Sequence, residues 1–259
     1  MTNQQSKQRA TRQRGPSIWT RPERASRGPS PVHTRAEIAA AGVSIADTQS
    51  LAAVTMRSVA SAIGTAPASL YRYLLTRDEL VELMADHVYG EFSYDEPPTG
   101  DPIEDLLHIA REGRAVYQRH PWLLDVSGTE TLPGPNAVAF VERTLAALGP
   151  AKLSGPARLE TVGLFSGALR LIAQTEISQL RAGQDAVEWQ AAIAAYLLPI
   201  AADGQHPHLA AAMADQSDKV EPSPADSLFD RAMPRILAGL LASPPRPAPS
   251  PPAPGFRAK

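Results

Sequence analysis

Between residues 55 and 77 the side chains with chemistry to offer are hydrogen-bonding groups rather than catalytic ones. Thr55, Arg57, Ser69, Tyr71, Arg72, Tyr73 and Arg77 lie close together along the chain. Hydroxyls suit phosphate oxygens, and a guanidinium fork suits a phosphate or the edge of a guanine. Pro67 and Ala68 add no donor, but small residues let a backbone approach a groove closely. Enzyme chemistry would need a nucleophile with a base, a carboxylate pair or a phosphate-cradling loop. Gly163-Leu164-Phe165-Ser166-Gly167 does not spell a nucleophile elbow, no glycine-rich phosphate loop occurs, and the His, Asp and Glu residues show no motif spacing. No catalytic residue is expected. The chain has no cysteine, which excludes disulfides and thiolate metal ligands. His206-Pro207-His208 supplies too few ligands for a metal site, so neither metal nor cofactor is expected.

The elements that must position these residues are helices. Ile38, Ala41, Gly42 and Ile45 recur at three- and four-residue spacing, which predicts a first helix beginning near His33. Residues 47–53 lack that period and form a connection without a glycine. Met56, Val59, Ala60 and Ile63 mark a second helix, capped by Thr55 and stopped by Gly64. A third runs from about Ala66 to Leu74, with Pro67 in its first turn. Its Leu70 and Leu74 face the core, which leaves Pro67, Ala68, Ser69, Tyr71, Arg72 and Tyr73 outward. Thr76-Arg77-Asp78-Glu79 spells a capping box, and Leu80, Leu83, Met84 and Val88 line one side of the helix it opens. Residues 55–74 therefore have the outline of a helix-turn-helix, whose second helix enters a major groove while the first braces it.

Downstream, Asp101 starts a helix running towards His120-Pro121, and further helices are expected at about 136–148, 155–180, 185–201, 206–215 and 225–242. No strand-like alternation competes with them. The chain has 259 residues, 43% of them apolar, only 5% aromatic, and a net charge of −2. That balance conceals a basic arm, in which Lys7, Arg9, Arg12, Arg14, Arg21, Arg24 and Arg27 face the single acid Glu23. Such an arm suits a polyanion. No stretch reaches the roughly 18 apolar residues of a membrane span, and the N-terminus lacks an apolar signal core, so a cytoplasmic protein is expected. From Ser243 the chain is rich in proline and alanine and should not join a core.

Residues 33–90 resemble the DNA-binding domain of the tetracycline-repressor (TetR) family of bacterial regulators. The resemblance rests on Ile38-Ala39-Ala40-Ala41, Thr55-Met56-Arg57-Ser58-Val59-Ala60, Ile63-Gly64, Leu70-Tyr71-Arg72-Tyr73 and Arg77-Asp78-Glu79-Leu80. It implies that Arg57 approaches a base edge, that Pro67, Ala68, Ser69 and Arg72 lie against bases, and that Tyr71 and Tyr73 touch the sugar–phosphate backbone. Thr55 and Arg77 would fall on phosphates at either side of the groove. Arg21, Arg24 and Arg27 of the arm are candidates for the adjoining minor groove.

The resemblance further implies an all-α protein with a three-helix helix-turn-helix domain (33–90) and a larger helical ligand-binding and dimerisation domain (91–242). A flexible arm (1–32) and a proline-rich tail (243–259) would flank them. The expected partners are double-stranded DNA carrying a partly palindromic operator, a second copy of the chain, and a small-molecule effector, with no membrane. Residues 159–177 and 228–241 are the candidate dimer helices. His108, Trp122, Phe140, Phe165, Gln174 and Trp189 are the candidate effector contacts, chosen as aromatic or polar groups for an apolar pocket. The function expected is a repressor released from DNA by its effector. An activator, or a helical protein-interaction module without an effector, is the alternative.

Overall fold

Thr34 opens the first helix, α1 (Arg35–Thr48), with a complete capping box. Its hydroxyl accepts from Glu37 N at 3.1 Å, and the Glu37 carboxylate accepts from Thr34 N at 3.0 Å. The structure, a computed structural model, describes residues 17–21, 33–93, 97–126, 132–214 and 227–242, and among these every regular element is helical. Ile38, Ala39, Val43 and Ala46 of α1 are buried against Leu80, Leu83, Met84 and Val88 of α4 (Arg77–Tyr89). Gly42 sits at their crossing, where a Cβ would come within 2.7 Å of Met84 Sδ. The two helices meet at a separation that a larger residue would force open.

Between them lie α2 (Met56–Ala62) and α3 (Pro67–Leu70). Thr55 caps α2, and Gly64 takes φ +70° in the joint, a conformation that favours glycine. The connection before α2 needs no glycine, because Ser50 is extended at φ 172° and no described non-glycine residue adopts the left-handed conformation. Two expectations are corrected here. The third helix ends at Leu70 rather than Leu74, and residues 71–73 continue as turns whose amides still point back, with Tyr73 N and Leu74 N both donating to Leu70 O. The capping box at Thr76 is only half formed. The Thr76 hydroxyl accepts from Glu79 N, but the Glu79 carboxylate turns away to Leu75 N and Arg21.

The rest of the fold comprises α5 (Pro102–Arg119), α6 (Pro135–Ala147), α7 (Gly155–Ala182), α8 (Gln184–Ala202), α9 (Pro207–Ala214) and α10 (Leu228–Leu241). α4 belongs to both halves, packing on α1 at one side and on α6 at the other. α10 buries Phe229, Met233 and Leu237 against α5 and α7. Its first turn is fixed by Glu176 of α7, which accepts from Phe229 N at 3.1 Å while paired with Arg114 of α5 at 2.7 Å.

A second polar joint ties α1 to the end of α5. The buried His120 ring meets Asp47 at 2.8 Å through Nδ1 and Glu91 at 2.9 Å through Nε2. Asp47 also accepts from Trp122 Nε1 at 2.7 Å, and Glu91 from Arg119 at 2.7 Å. Burial alone would push the Glu91 carboxyl upward, but Arg119 and His120 together hold it below the ordinary glutamate range.

Residues 17–21 depart from the expectation of an arm without structure. Ile18–Thr20 is a 3-10 turn, Ile18 is fully buried in the core, and Arg35 donates to the carbonyls of Ile18 and Arg21. Arg24, Arg27 and the tail from residue 243 lie outside the described residues.

Candidate nucleic-acid interface and effector cavity

The helix-turn-helix is assembled by short-range bonds. Ser58 takes part in the cap of α2 and also donates to Ala53 O, which ties the α2 start to the preceding connection. Thr65 N donates to Ala60 O across the joint at 2.9 Å. Val59, Ala60, Leu70 and Leu74 are buried, so the opposite faces of α2 and α3 are left outward. On those faces Arg57, Pro67, Ala68, Tyr71 and Arg72 are exposed, and Ser69 is half-buried. This is one continuous presentation of two guanidinium groups, a phenol and small residues, and it is chemistry suited to a groove.

Three of the residues singled out from sequence have work inside the fold. Arg77 donates through Nε to Val54 O at 2.8 Å and through Nη2 to Leu51 O at 2.6 Å, clamping the α1–α2 connection onto α4. Arg21 is paired with Glu79 at 2.5 Å in a half-buried position. The Tyr73 hydroxyl accepts from His33 N at 3.2 Å, which leaves its own proton to donate. The Thr55 hydroxyl, exposed at the cap, faces Ser58.

A cavity of about 1060 Å³ lies beside α4, walled by α4, α5, α6, α7 and the turn at residues 18–20. Its wall is partly aromatic and, along α4, acidic, with Asp78, Glu79, Glu82 and Asp86 in the lining. Phe92 and Phe140 approach with ring centres 4.9 Å apart, and Tyr89 stands 5.5 Å from Phe140. Tyr117 and Tyr89 line it too, and burial pushes both phenols above their ordinary pKa, so both hydroxyls stay protonated. The polar lining includes Ser166, Arg170 and Asp86. Arg170 donates to the carbonyls of Leu124 and Val126, holding the turn after α5. Asp86 accepts from Asn136 N and Ala137 N at the start of α6, while desolvation holds its carboxyl above the ordinary aspartate range.

Of the six effector contacts expected from sequence, Phe140 alone lines this cavity. Phe165 is fully buried in the core, Trp122 is spent on Asp47, and His108 is exposed beside Glu112. Gln174 and Trp189 meet in a separate open groove between α7 and α8. Tyr89, Phe92, Tyr117 and Arg170, which line it, were not among the residues expected from sequence. Their spacing marks them as inward-facing, and an inward face that packs and one that walls a cavity share the same pattern. Among the described residues no group of three or more His, Asp and Glu side chains is placed to hold a metal ion, and no helix is long and apolar enough to cross a membrane.

Comparison with known proteins agrees with this architecture. Residues 95–243 match the family model of the tetracyclin repressor-like C-terminal domain. The chain is 32% identical over 236 residues to the HTH-type transcriptional repressor DrrR1 of Streptomyces coeruleorubidus, covering 86% of this chain and 83% of that one. It is similar to ligand-free ActR from Streptomyces coelicolor, with 27% identity, a TM-score of 0.66, and 83% and 97% of the two chains covered. It is also similar to ActR solved in complex with actinorhodin, at 25% identity and a TM-score of 0.62, with 82% and 96% covered. With an exposed helix-turn-helix face at one end of α4 and a helical domain matched from residue 95 onward, the chain belongs to the TetR family of DNA-binding transcriptional regulators.

Proposed function

We propose that this protein is a homodimeric repressor that leaves a partly palindromic operator when a small organic molecule fills the cavity beside α4. The observation that carries the proposal is the double role of α4. Its first turn holds the helix-turn-helix through Arg77, and the helix walls the cavity along its length, from Arg77, Asp78 and Glu79 to Val88 and Tyr89. A helix is stiff over this length, so a ligand that displaces this wall moves the turn that holds the reading head. In a dimer such a displacement changes the spacing of two reading heads, and affinity falls as that spacing departs from one DNA repeat. The effector selects between pre-existing spacings only as far as it binds them differently.

In this reading residues 33–90 bind DNA, with Arg57, Pro67, Ala68, Ser69, Tyr71 and Arg72 at the groove. Tyr73 and Thr55 serve the phosphates, and Arg24 and Arg27 serve the minor groove. Arg77 and Arg21 act by holding the reading head in shape. Residues 91–242 bind the effector and the second copy. The size and aromatic wall of the cavity suit a molecule with fused or linked rings and a few oxygen groups; ActR, solved with actinorhodin bound, is a relative that takes a ligand.

The test is selection of bound fragments from the source genome, with the wild type compared to an Arg57→Ala, Tyr71→Ala variant. Recovery of a partly palindromic site by the wild type alone supports the proposal. Equal recovery of unrelated fragments by both proteins would exclude sequence reading by this face.

A further inference from the structure

The turn at residues 18–20 is a wall of the cavity and is also bolted to the DNA-reading head. Ser17, Ile18 and Trp19 all line the cavity. Trp19 is half-buried, and its ring lies over Gly134, the residue that precedes α6. A Cβ at Gly134 would come within 2.7 Å of Trp19 Cζ2 and 2.4 Å of Asp86 Oδ1. The glycine therefore makes room for the indole at this end of the cavity. The Trp19 Nε1–H is shielded from solvent and has no acceptor among the described residues. A buried donor left unpaired costs stability, and because Nε1 is covered in this conformation, a ligand oxygen recovers that cost by drawing the indole towards the cavity.

The same turn is fastened at the opposite side. Arg35, in the first turn of α1, donates to the carbonyls of Ile18 at 3.0 Å and Arg21 at 3.4 Å. Arg21 is paired with Glu79, whose carboxylate also accepts from Leu75 N at the start of α4. One short segment thus joins the cavity wall to the N-terminal ends of both α1 and α4, the two helices that carry the reading head.

We propose that Trp19 is an effector-contacting residue, donating its indole N–H to an oxygen acceptor on the bound molecule, and that the Arg21–Glu79 and Arg35 clasp passes its displacement to the starts of α1 and α4. This assignment rests on the reading of the cavity as the effector site. It makes an oxygen acceptor at the Gly134 end a requirement of the ligand, and it couples the turn at residues 18–20 to the first turn of α4, which lines the same cavity.

The test uses the full chain and the sulfonated aromatic dye 8-anilinonaphthalene-1-sulfonate, whose sulfonate supplies acceptor oxygens. Dye affinity is measured in wild type, Trp19→Phe, Trp19→Ala and Ser166→Trp, the last filling the cavity from α7. Hydrogen exchange of residues 75–80 is followed with and without dye, and far-ultraviolet circular dichroism checks that each variant is folded. The expected result is loss of dye binding in Ser166→Trp and weakening of about tenfold in Trp19→Phe, which keeps a ring but lacks the donor. Exchange at 75–80 responds to dye in the wild type and stops responding in Trp19→Ala. If Ser166→Trp abolishes binding while both Trp19 variants bind as the wild type does, the role of Trp19 is overturned and the cavity reading stands. Should the dye bind Ser166→Trp unchanged, the cavity reading itself fails and the assignment of Trp19 falls with it.

Discussion

Arg57 and Arg77 show how two arginines in one short stretch come to do different work. Arg57 is exposed on the outer face of α2, whereas Arg77 spends two donors on the carbonyls of Val54 and Leu51. Substitution should separate them. Arg57→Ala is expected to weaken operator binding by about 1–3 kcal/mol, the worth of a good base contact, with the melting temperature unchanged. Arg77→Ala should instead lower stability by about 1–2 kcal/mol, since two main-chain acceptors lose a charged donor. Paired fluorescence-anisotropy titrations and thermal melts distinguish the two. A drop in melting temperature for Arg57→Ala comparable with that of Arg77→Ala would contradict the division. Tyr73 lies between these cases, because its hydroxyl already serves His33 N and retains one proton for a phosphate.

At the scale of elements, the His120 joint decides how α1 meets the end of α5. Each nitrogen of the ring faces a carboxylate, Asp47 at Nδ1 and Glu91 at Nε2. Asp47→Ala removes the acceptor shared by His120 and Trp122, and is expected to destabilise the protein by about 1–3 kcal/mol in urea titrations. Glu91 adds a pH signature. Its carboxyl titrates below the ordinary value of 4.5, so its contribution is complete above that pH and is lost as pH falls through the depressed value. Urea midpoints measured at pH 5 and pH 3 should therefore differ less in Glu91→Gln than in the wild type. An equal difference in the two proteins would remove Glu91 from the account.

Across the whole molecule, apolar side chains remain uncovered on α7 and α8. Leu159, Leu164, Leu171 and Leu180 of α7 and Trp189, Tyr196 and Leu198 of α8 are all more than half exposed. Large apolar side chains left exposed are candidates for an association surface, and a second copy is the occupant proposed. In α10, the other helix expected at the interface, Phe229, Met233 and Leu237 belong to the protomer's own core, while Leu228, Ile236, Leu240 and Leu241 stay partly exposed. Leu171→Glu with Trp189→Glu should shift sedimentation at micromolar concentration from dimer to monomer. A protein that sediments as a monomer before any substitution would remove the dimer from the proposal.

The helices, their order and most of their ends were legible in the residues, because caps, periodic apolar positions and Gly64 act through neighbours within a few positions. The outward face of α2 and α3 was legible for the same reason: once Val59, Ala60, Leu70 and Leu74 are inward, helical geometry leaves Arg57, Tyr71 and Arg72 outward. The partners of Arg21, Arg77 and Asp47 were not, since each lies across long stretches of chain and a side chain's local pattern says nothing of what will face it. Tertiary packing turned Glu79 from a capping-box partner into an anchor for Arg21, and drew residues 17–19 out of a basic, proline-punctuated arm into the cavity wall. It also decided which inward aromatics became cavity lining and which became core. The cavity is a place where packing stops short, and its location depends on the crossing of helices rather than on the spacing within any one of them.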